Sequence, residues 1–338
     1  MLWRVSNLQR VAFCGRYPVR ADGEVQVRRT AEAVGYAGLQ SCGSVWADPV
    51  CNSRIQARRR LEVGVALSRV LLTGSAAFGA YTLRHRLGEP LEPLWRALSA
   101  CWQAVARDRG VKTCRADLGH VGIVRAAEVT YGRHGWHPHL HPVHAFRHQL
   151  TPGHVAQLHA EQTRAWSSAV ARLGRSAVVL EAQHLHLVRD VAAPLGEYFT
   201  KATYAGLEAV GWEITSTQTK SSTRAKGATP WDLLRRLQGG DGDALGPWHE
   251  YEGASAGKRA LTWSPGMRPF REGPEQSDED IAAEAVGSVD DVGLVVTDWA
   301  PIQDDPRLGG RLLTVVQTAG WDAGAEFATE HAIPHRRT

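Results

Sequence analysis

Cysteine, lysine and long apolar runs are all scarce in this chain of 338 residues. The five cysteines, Cys14, Cys42, Cys51, Cys101 and Cys114, are odd in number and scattered. That argues against a disulfide framework and fits a reducing compartment. No window approaches the roughly 18 apolar residues of a membrane span, and the first 20 residues hold no apolar core of a secretory leader. A cytoplasmic protein without membrane contact is the expectation. Of 39 basic residues only Lys112, Lys201, Lys220, Lys226 and Lys258 are lysine, a bias that reflects GC-rich coding rather than chemistry.

What is present is a 43% hydrophobic composition, enough for a sizeable core, in a length that suits two or three domains. The net charge of +4 hides an asymmetry. Residues 271–338 hold 5 Arg against 14 Asp and Glu, a net of −9, so the first 270 residues carry +13. A basic body with an acidic end suits a polyanionic partner.

Periodicity gives a coarse order of elements. Arg58, Arg59 and Arg60 lead into a helix, Val70 to Arg84 reads as strand around a loop, and Leu91, Leu94, Leu98, Trp102 and Val105 mark an amphipathic helix over 91–108. Ile123–Tyr131 and Trp136–Phe146 form a hairpin about Gly132–Gly135. A helix spans 152–173 between Thr151-Pro152 and Gly174, a strand spans 177–188, and a short helix spans 192–205. Thr229-Pro230 opens another helix, 239–246 is a loop, 271–280 a charged linker, and a C-terminal helix covers 310–328. Strand, helix, hairpin, helix, strand is the pattern of an α+β fold, an antiparallel sheet with helices on one face. The chain divides into segments 1–65, 66–206, 207–270 and 271–338.

The strongest chemical signal is Gly135-Trp-His-Pro-His-Leu-His141. On a strand, alternate side chains share a face, so His137, His139 and His141 point one way. Two imidazoles at i and i+2 close on one cation, and Glu128 on the preceding strand supplies a carboxylate with positions left for water and phosphate oxygen. His134, His144 and His148 read as exposed or hydrogen-bonded bystanders. Pro142 removes a ladder donor and predicts an edge strand or a bulge. Trp136, one of 12 tryptophans, is either core or a stacking platform for an unpaired base.

The second signal is Glu197-Tyr-Phe-Thr-Lys201, where Tyr198 and Lys201 share a helix face. A phenol titrates near 10 and becomes a nucleophile only where a cation stabilises its oxyanion. Lys201 and a metal ion are candidates for that cation.

Together these residues resemble the HUH endonucleases, named for His-hydrophobic-His. Within them the chain is similar to the single-tyrosine replication initiators (Rep proteins) of rolling-circle plasmids from high-GC bacteria. The likeness runs through Cys42-Gly-Ser-Val-Trp46, Tyr81-Thr-Leu-Arg-His85, Glu128-Val-Thr-Tyr131, the histidine strand, Tyr198-Phe-Thr-Lys201, Thr229-Pro-Trp-Asp-Leu-Leu234 and Gly257-Lys-Arg-Ala-Leu-Thr-Trp-Ser264. It implies a ferredoxin/RRM-like core within 66–206, a family-specific extension over 207–270, and a metal-dependent DNA endonuclease and strand transferase. In the reaction that the resemblance implies, Tyr198 attacks a phosphodiester at the plasmid's double-strand origin, in single-stranded or cruciform form. The attack leaves a 3′-OH and a 5′-phosphotyrosyl link, with Mg²⁺ or Mn²⁺ at His139, His141 and Glu128. A host helicase and polymerase are the implied partners.

Two departures from the family pattern matter. Pro194 stands where related initiators place the acid that activates water at termination, which leaves Glu197 and Glu213 as candidates. The N-terminal segment resembles a cysteine-rich zinc module with Asp48 in a cysteine's place. Cys14, Cys42, Cys51 and Asp48 are therefore either zinc ligands or a set of buried thiols. Arg58, Arg59 and Arg60 read as a phosphate-contacting surface or as a solvated helix face. Rival functions are a conjugative relaxase, a single-tyrosine transposase, a zinc hydrolase, and a DNA-binding regulator without catalysis.

Overall fold

The computed structural model describes residues 2–29, 34–188, 229–284 and 292–338. In chain order its elements begin with helices α1 (Leu2–Val5) and α2 (Gln9–Ala12), strands β1 (Val25–Arg29) and β2 (Val34–Ala37), and helix α3 (Pro49–Leu71). Next come β3 (Ser75–Thr82), α4 (Leu91–Arg107), α5 (Arg109–Asp117), β4 (His120–Gly132), β5 (Gly135–Phe146), α6 (Pro152–Arg172) and β6 (His184–Val188). The remainder is α7 (Pro230–Gln238), α8 (Leu245–Ser255), β7 (Leu261–Trp263), α9 (Asp278–Ala283), β8 (Val292–Val296), α10 (Ala300–Asp304), α11 (Pro306–Glu330) and β9 (His335–Arg337). They form two compact units, residues 56–275 and residues 1–55 with 276–338.

The unit 56–275 is built on an antiparallel sheet in the order β6-β3-β5-β4-β7. Its first four strands follow the β-α-β-β-α-β sequence of a ferredoxin-like core, and the α+β class is as expected. Helix α4 forms because Leu91, Leu94, Leu98, Trp102 and Val105 recur on one buried stripe. It stops at Asp108, whose carboxylate caps α5 by accepting from Val111 N at 3.0 Å. Helix α6 starts at the Thr151-Pro152 pair, where Thr151 and His154 exchange hydrogen bonds, and ends ahead of Gly174, which has φ +66°.

Helices α5 and α6 pack Cys114, Leu118, Val155 and Leu158 on one face of the sheet, against Ala77, Phe146 and Leu185. Tyr81 on that face meets Trp102 of α4 and Trp166 of α6. The other face is covered at one end, where Val63, Ala66, Leu67 and Val70 of α3 pack on Ala76, Val124, Ala126, Val143, Ala145 and Val188. Each such valine or leucine contributes about 1.5–3 kcal/mol on burial, and each alanine methyl less. The expectation of helices on one face thus holds for α4–α6, and α3 adds partial cover on the opposite side.

Several local expectations are corrected. Val70 and Leu71 are the last turn of α3, because Val70 belongs to its apolar stripe, and the strand begins only at Ser75. The strand expected over 177–188 is confined to His184–Val188, after a single 3₁₀ turn at Leu180–Ala182. Pro142 lies in the middle strand of the sheet, not at an edge. Its register with β4 is unbroken, whereas pairing to β3 lapses between Phe78↔Val143 and Tyr81↔Leu140. The sheet tolerates the missing N–H where the ladder is interrupted. The helix expected at 192–205 lies outside the described residues.

In the second unit, β1 of the N-terminal segment pairs with β8 of the C-terminal one, giving the sheet order β2-β1-β8-β9. Val25, Val27, Leu294 and Val296 form its core with Leu312, Val316 and Phe327 of α11. Helix α11 breaks its regularity at Gly320, whose φ of 87° suits glycine alone. The acidic C-terminal region is a folded partner of the basic N-terminal one.

Candidate metal centres

The β4–β5 hairpin assembles the first site. Its two-residue turn, Arg133-His134, closes on Gly135, whose φ of +84° favours glycine. That closure sets the register that puts Glu128 directly across from His139. Alternation then brings His141 to the same face. His139 Nε2 lies 2.6 Å and His141 Nε2 3.1 Å from Glu128 Oε2. Their side chains are 15%, 14% and 12% exposed, so the cluster is accessible but largely dry. Phe78 stacks flat on His141 at 5.7 Å.

The backbone carbonyl of His137 accepts from His139 Nδ1 at 3.1 Å, which leaves Nε2 as the atom available to a cation or proton. Burial alone pushes the Glu128 carboxyl up. The charge of His139 and the hydrogen bonds from both imidazoles outweigh that and hold it well below the usual carboxylate range. Burial likewise disfavours charge on His139, and the Glu128 carboxylate overcomes it and raises the imidazole. A negative oxygen and two imidazole nitrogens converging within 4.8 Å make a donor set for one divalent ion.

His137 continues the row. Its Nε2 is 2.6 Å from Thr82 Oγ1, and its ring stacks on His85 at 4.7 Å. Burial, then the neighbouring His139 and His85, push it down to about 3. Strand β6 carries a second His-Leu-His, His184-Leu185-His186, whose histidines pair with Ala80 and Phe78 and share the triad's face. The same alternation that singled out His139 and His141 was available to find this pair. Burial first, then His186 and His141, push His184 down to about 4. On the opposite face Tyr81 donates to Gln162 Oε1 at 2.6 Å, and Gln162 Nε2 lies 3.1 Å from His144 Nε2. His144 Nδ1 is 3.2 Å from His120 Nε2, completing a buried polar chain. Trp136 is 2% exposed and stacked on Tyr251, so it is core and not a platform for a base.

The second cluster lies in the other unit. Cys14 Sγ and Cys42 Sγ are 3.5 and 3.6 Å from Cys51 Sγ, and Cys42 Sγ is 3.6 Å from Asp48 Oδ2. A tetrahedral zinc with Zn–S of about 2.3 Å implies S···S of about 3.8 Å, so the spacing fits. Asp48 Oδ1 is held by the amides of Val50 and Cys51 in the first turn of α3, which turns Oδ2 toward the sulfurs. The amide of Cys42 donates to Cys14 Sγ and that of Ser44 to Cys42 Sγ. Burial raises the Asp48 carboxyl, whereas hydrogen bonds from Cys14 and Cys42 draw the Cys51 thiol down. All five cysteines are free.

Not every sequence-predicted residue joins these clusters. Tyr198, Lys201, Glu197 and Glu213 lie outside the described residues. On α3, Arg59 is 7% exposed and bonded to Glu62 at 2.9 Å, while Arg58 is half exposed and 3.6 Å from the same carboxylate. The guanidinium of Arg59 is committed inside the fold.

Two relatives share sequence with the chain. One, named Protein rep, from Streptomyces lividans, is 26% identical over 82% of this chain and 75% of its own length. The other, named Neomycin resistance protein, from Streptomyces cyanogenus, is 31% identical over 36% of this chain and 34% of its own. The likeness to a Rep protein read from the motifs is borne out as a likeness. No family model and no solved structure matches. Among the described residues no helix is long and apolar enough to cross a membrane.

Proposed function

We propose that this protein is a plasmid rolling-circle replication initiator that nicks one strand of origin DNA and rejoins it through a tyrosine. The observation that carries the reading is the convergence of Glu128, His139 and His141 on one accessible point of the sheet. The similarity to a protein named Protein rep supports it.

In this reading the Tyr198 oxygen attacks the scissile phosphorus and the P–O3′ bond breaks. The 3′ oxygen leaves as a hydroxyl that primes synthesis, and the phosphotyrosyl ester conserves the bond energy for rejoining. A Mg²⁺ or Mn²⁺ ion held by Glu128, His139 and His141 supplies Lewis acidity toward a phosphate oxygen. The chain's own part is orientation: His137 fixes the tautomer of His139 through its carbonyl, and Glu128 places both imidazoles. Lys201 is assigned to the phenolate and phosphate charge, and Glu197 and Glu213 remain the two candidate termination acids. Cys14, Cys42, Cys51 and Asp48 are assigned to a structural zinc. Origin DNA, a host helicase and a polymerase are the partners this activity needs.

The test is incubation with labelled single-stranded origin DNA and Mn²⁺, analysed on a denaturing gel. A covalent adduct is expected from the wild type and absent from Tyr198→Phe or with EDTA. No adduct across a full set of origin fragments would refute the nicking activity.

A further inference from the structure

A cleft of about 680 Å³ opens at the end of β3, between the loop after that strand and the residues that follow α6. Arg84, His85, Arg86, Glu89, Arg175 and Ser176 line it. Its volume falls in the range of small-molecule sites, about 300–1,000 Å³, but its wall is polar where such sites are mostly apolar.

The electrostatics of the cleft favour an anion. Three guanidiniums face one carboxylate, and that carboxylate is already engaged. Glu89 Oε1 accepts from Arg175 Nη2 at 2.7 Å, and Oε2 accepts from the Arg86 amide at 3.3 Å. Arg175 Nη2 also donates to the Arg84 carbonyl at 3.0 Å, which fixes the guanidinium in place. Its Nε is buried without a hydrogen-bond partner among the described residues. A buried donor left unpaired costs stability, and a phosphate oxygen is the acceptor that guanidinium geometry suits best. Arg84 and Arg86 are exposed. Leu87, 72% exposed beside them, offers apolar contact to a base.

Its position ties the cleft to the triad. His85 stacks on His137 at 4.7 Å, and His137 stands 5.0 Å from His139, so a row of imidazoles leads from the cleft to the metal ligands. A Cβ at Gly135 would lie 3.3 Å from the Arg86 carbonyl, so the loop rests on the start of the histidine strand.

We propose that this cleft holds a backbone phosphate of the same DNA strand, close along the chain to the phosphodiester at the triad. The proposal rests on the reading of the protein as a DNA-nicking enzyme. Arg84, Arg86 and Arg175 bind the phosphate, and the histidine row lies along the intervening nucleotides.

The test uses the full-length protein in EDTA, where no cleavage occurs, and fluorescence anisotropy with a single-stranded origin oligonucleotide. One phosphate contact on single-stranded DNA accounts for a slope of about 0.7 in log affinity against log salt, or about 5-fold in affinity at 0.1 M. The double variant Arg84→Ala/Arg86→Ala is expected to lose it. A scan of single methylphosphonates then locates the contact: the wild type weakens at one position, and the variant shows no added loss there. Arg96→Ala, an exposed arginine of α4, leaves the scan unchanged and controls for general charge. Wild-type affinity, slope and scan in the double variant would overturn the proposal. If the tyrosine adduct forms while the double variant binds normally, the cleft assignment alone fails. If the double variant loses binding while no adduct ever forms, the nicking reading alone fails.

Discussion

Loading the Glu128–His139–His141 cluster with Mn²⁺ is expected to stabilise the unit that contains it, by an amount that follows from binding linkage. A ligand at 100 times its dissociation constant adds about 2.7 kcal/mol to the free energy of unfolding. The unit spans residues 56–275. For domains of that size about 1 kcal/mol shifts the melting temperature by roughly 2–4 °C. The expected rise is therefore about 5–11 °C, read by differential scanning calorimetry with and without Mn²⁺ and reversed by EDTA. Glu128→Gln keeps the shape of the side chain and removes the charge that faces both imidazoles. In that variant the rise should shrink below about 2 °C at the same Mn²⁺ concentration. An equal rise in Glu128→Gln and wild type, or none in the wild type at millimolar Mn²⁺, would refute the assignment of the ligands. The measurement reports on the site without reference to nicking.

Two further outcomes follow from the buried groups. Protein prepared without chelator should carry about one zinc per chain by emission spectroscopy, and Cys51→Ser should lose it together with stability in the unit of residues 1–55 and 276–338; structural zinc in peptides contributes about 10–16 kcal/mol. Retention of one zinc by Cys51→Ser would remove the cysteine cluster as its site. Stability should also fall with acid. Unfolded imidazoles titrate near 6.5, whereas burial and Arg115 hold His120 in the fold near 3 and burial holds His144 well below its usual value. Unfolding therefore takes up protons between those values, so this contribution is complete above pH ~6.5 and is lost as pH drops, at about 1.4 kcal/mol per pH unit for each net proton. Urea titrations of metal-free protein from pH 7 to 5 that showed constant or rising stability would contradict the buried neutral pair.

Sequence periodicity by itself determined the elements whose contacts are local. The three-and-four spacing from Leu91 to Val105 is α4, and the Thr151-Pro152 start and Gly174 stop bound α6, because helix faces and caps are decided within one or two turns. Strand alternation likewise put His137, His139 and His141 on one face. The hairpin turn at 132–135 made Glu128 their neighbour, so the metal cluster was legible from one window of chain. The tertiary structure alone decided what depends on distant pairing. Cys14 meets Cys42 and Cys51 across intervening strands, and β1 joins β8 from the other end of the chain, so an acidic segment that reads as a tail is half of a folded unit. Pro142 reads as an edge residue, yet it sits in the middle strand because the ladder gap lies in β3's pairing and not in its own sequence. The cleft of Arg84, Arg86 and Arg175 joins segments some ninety residues apart. Such encounters are fixed by which apolar faces bury one another and which strand edges remain to pair, and no local window of sequence carries that information.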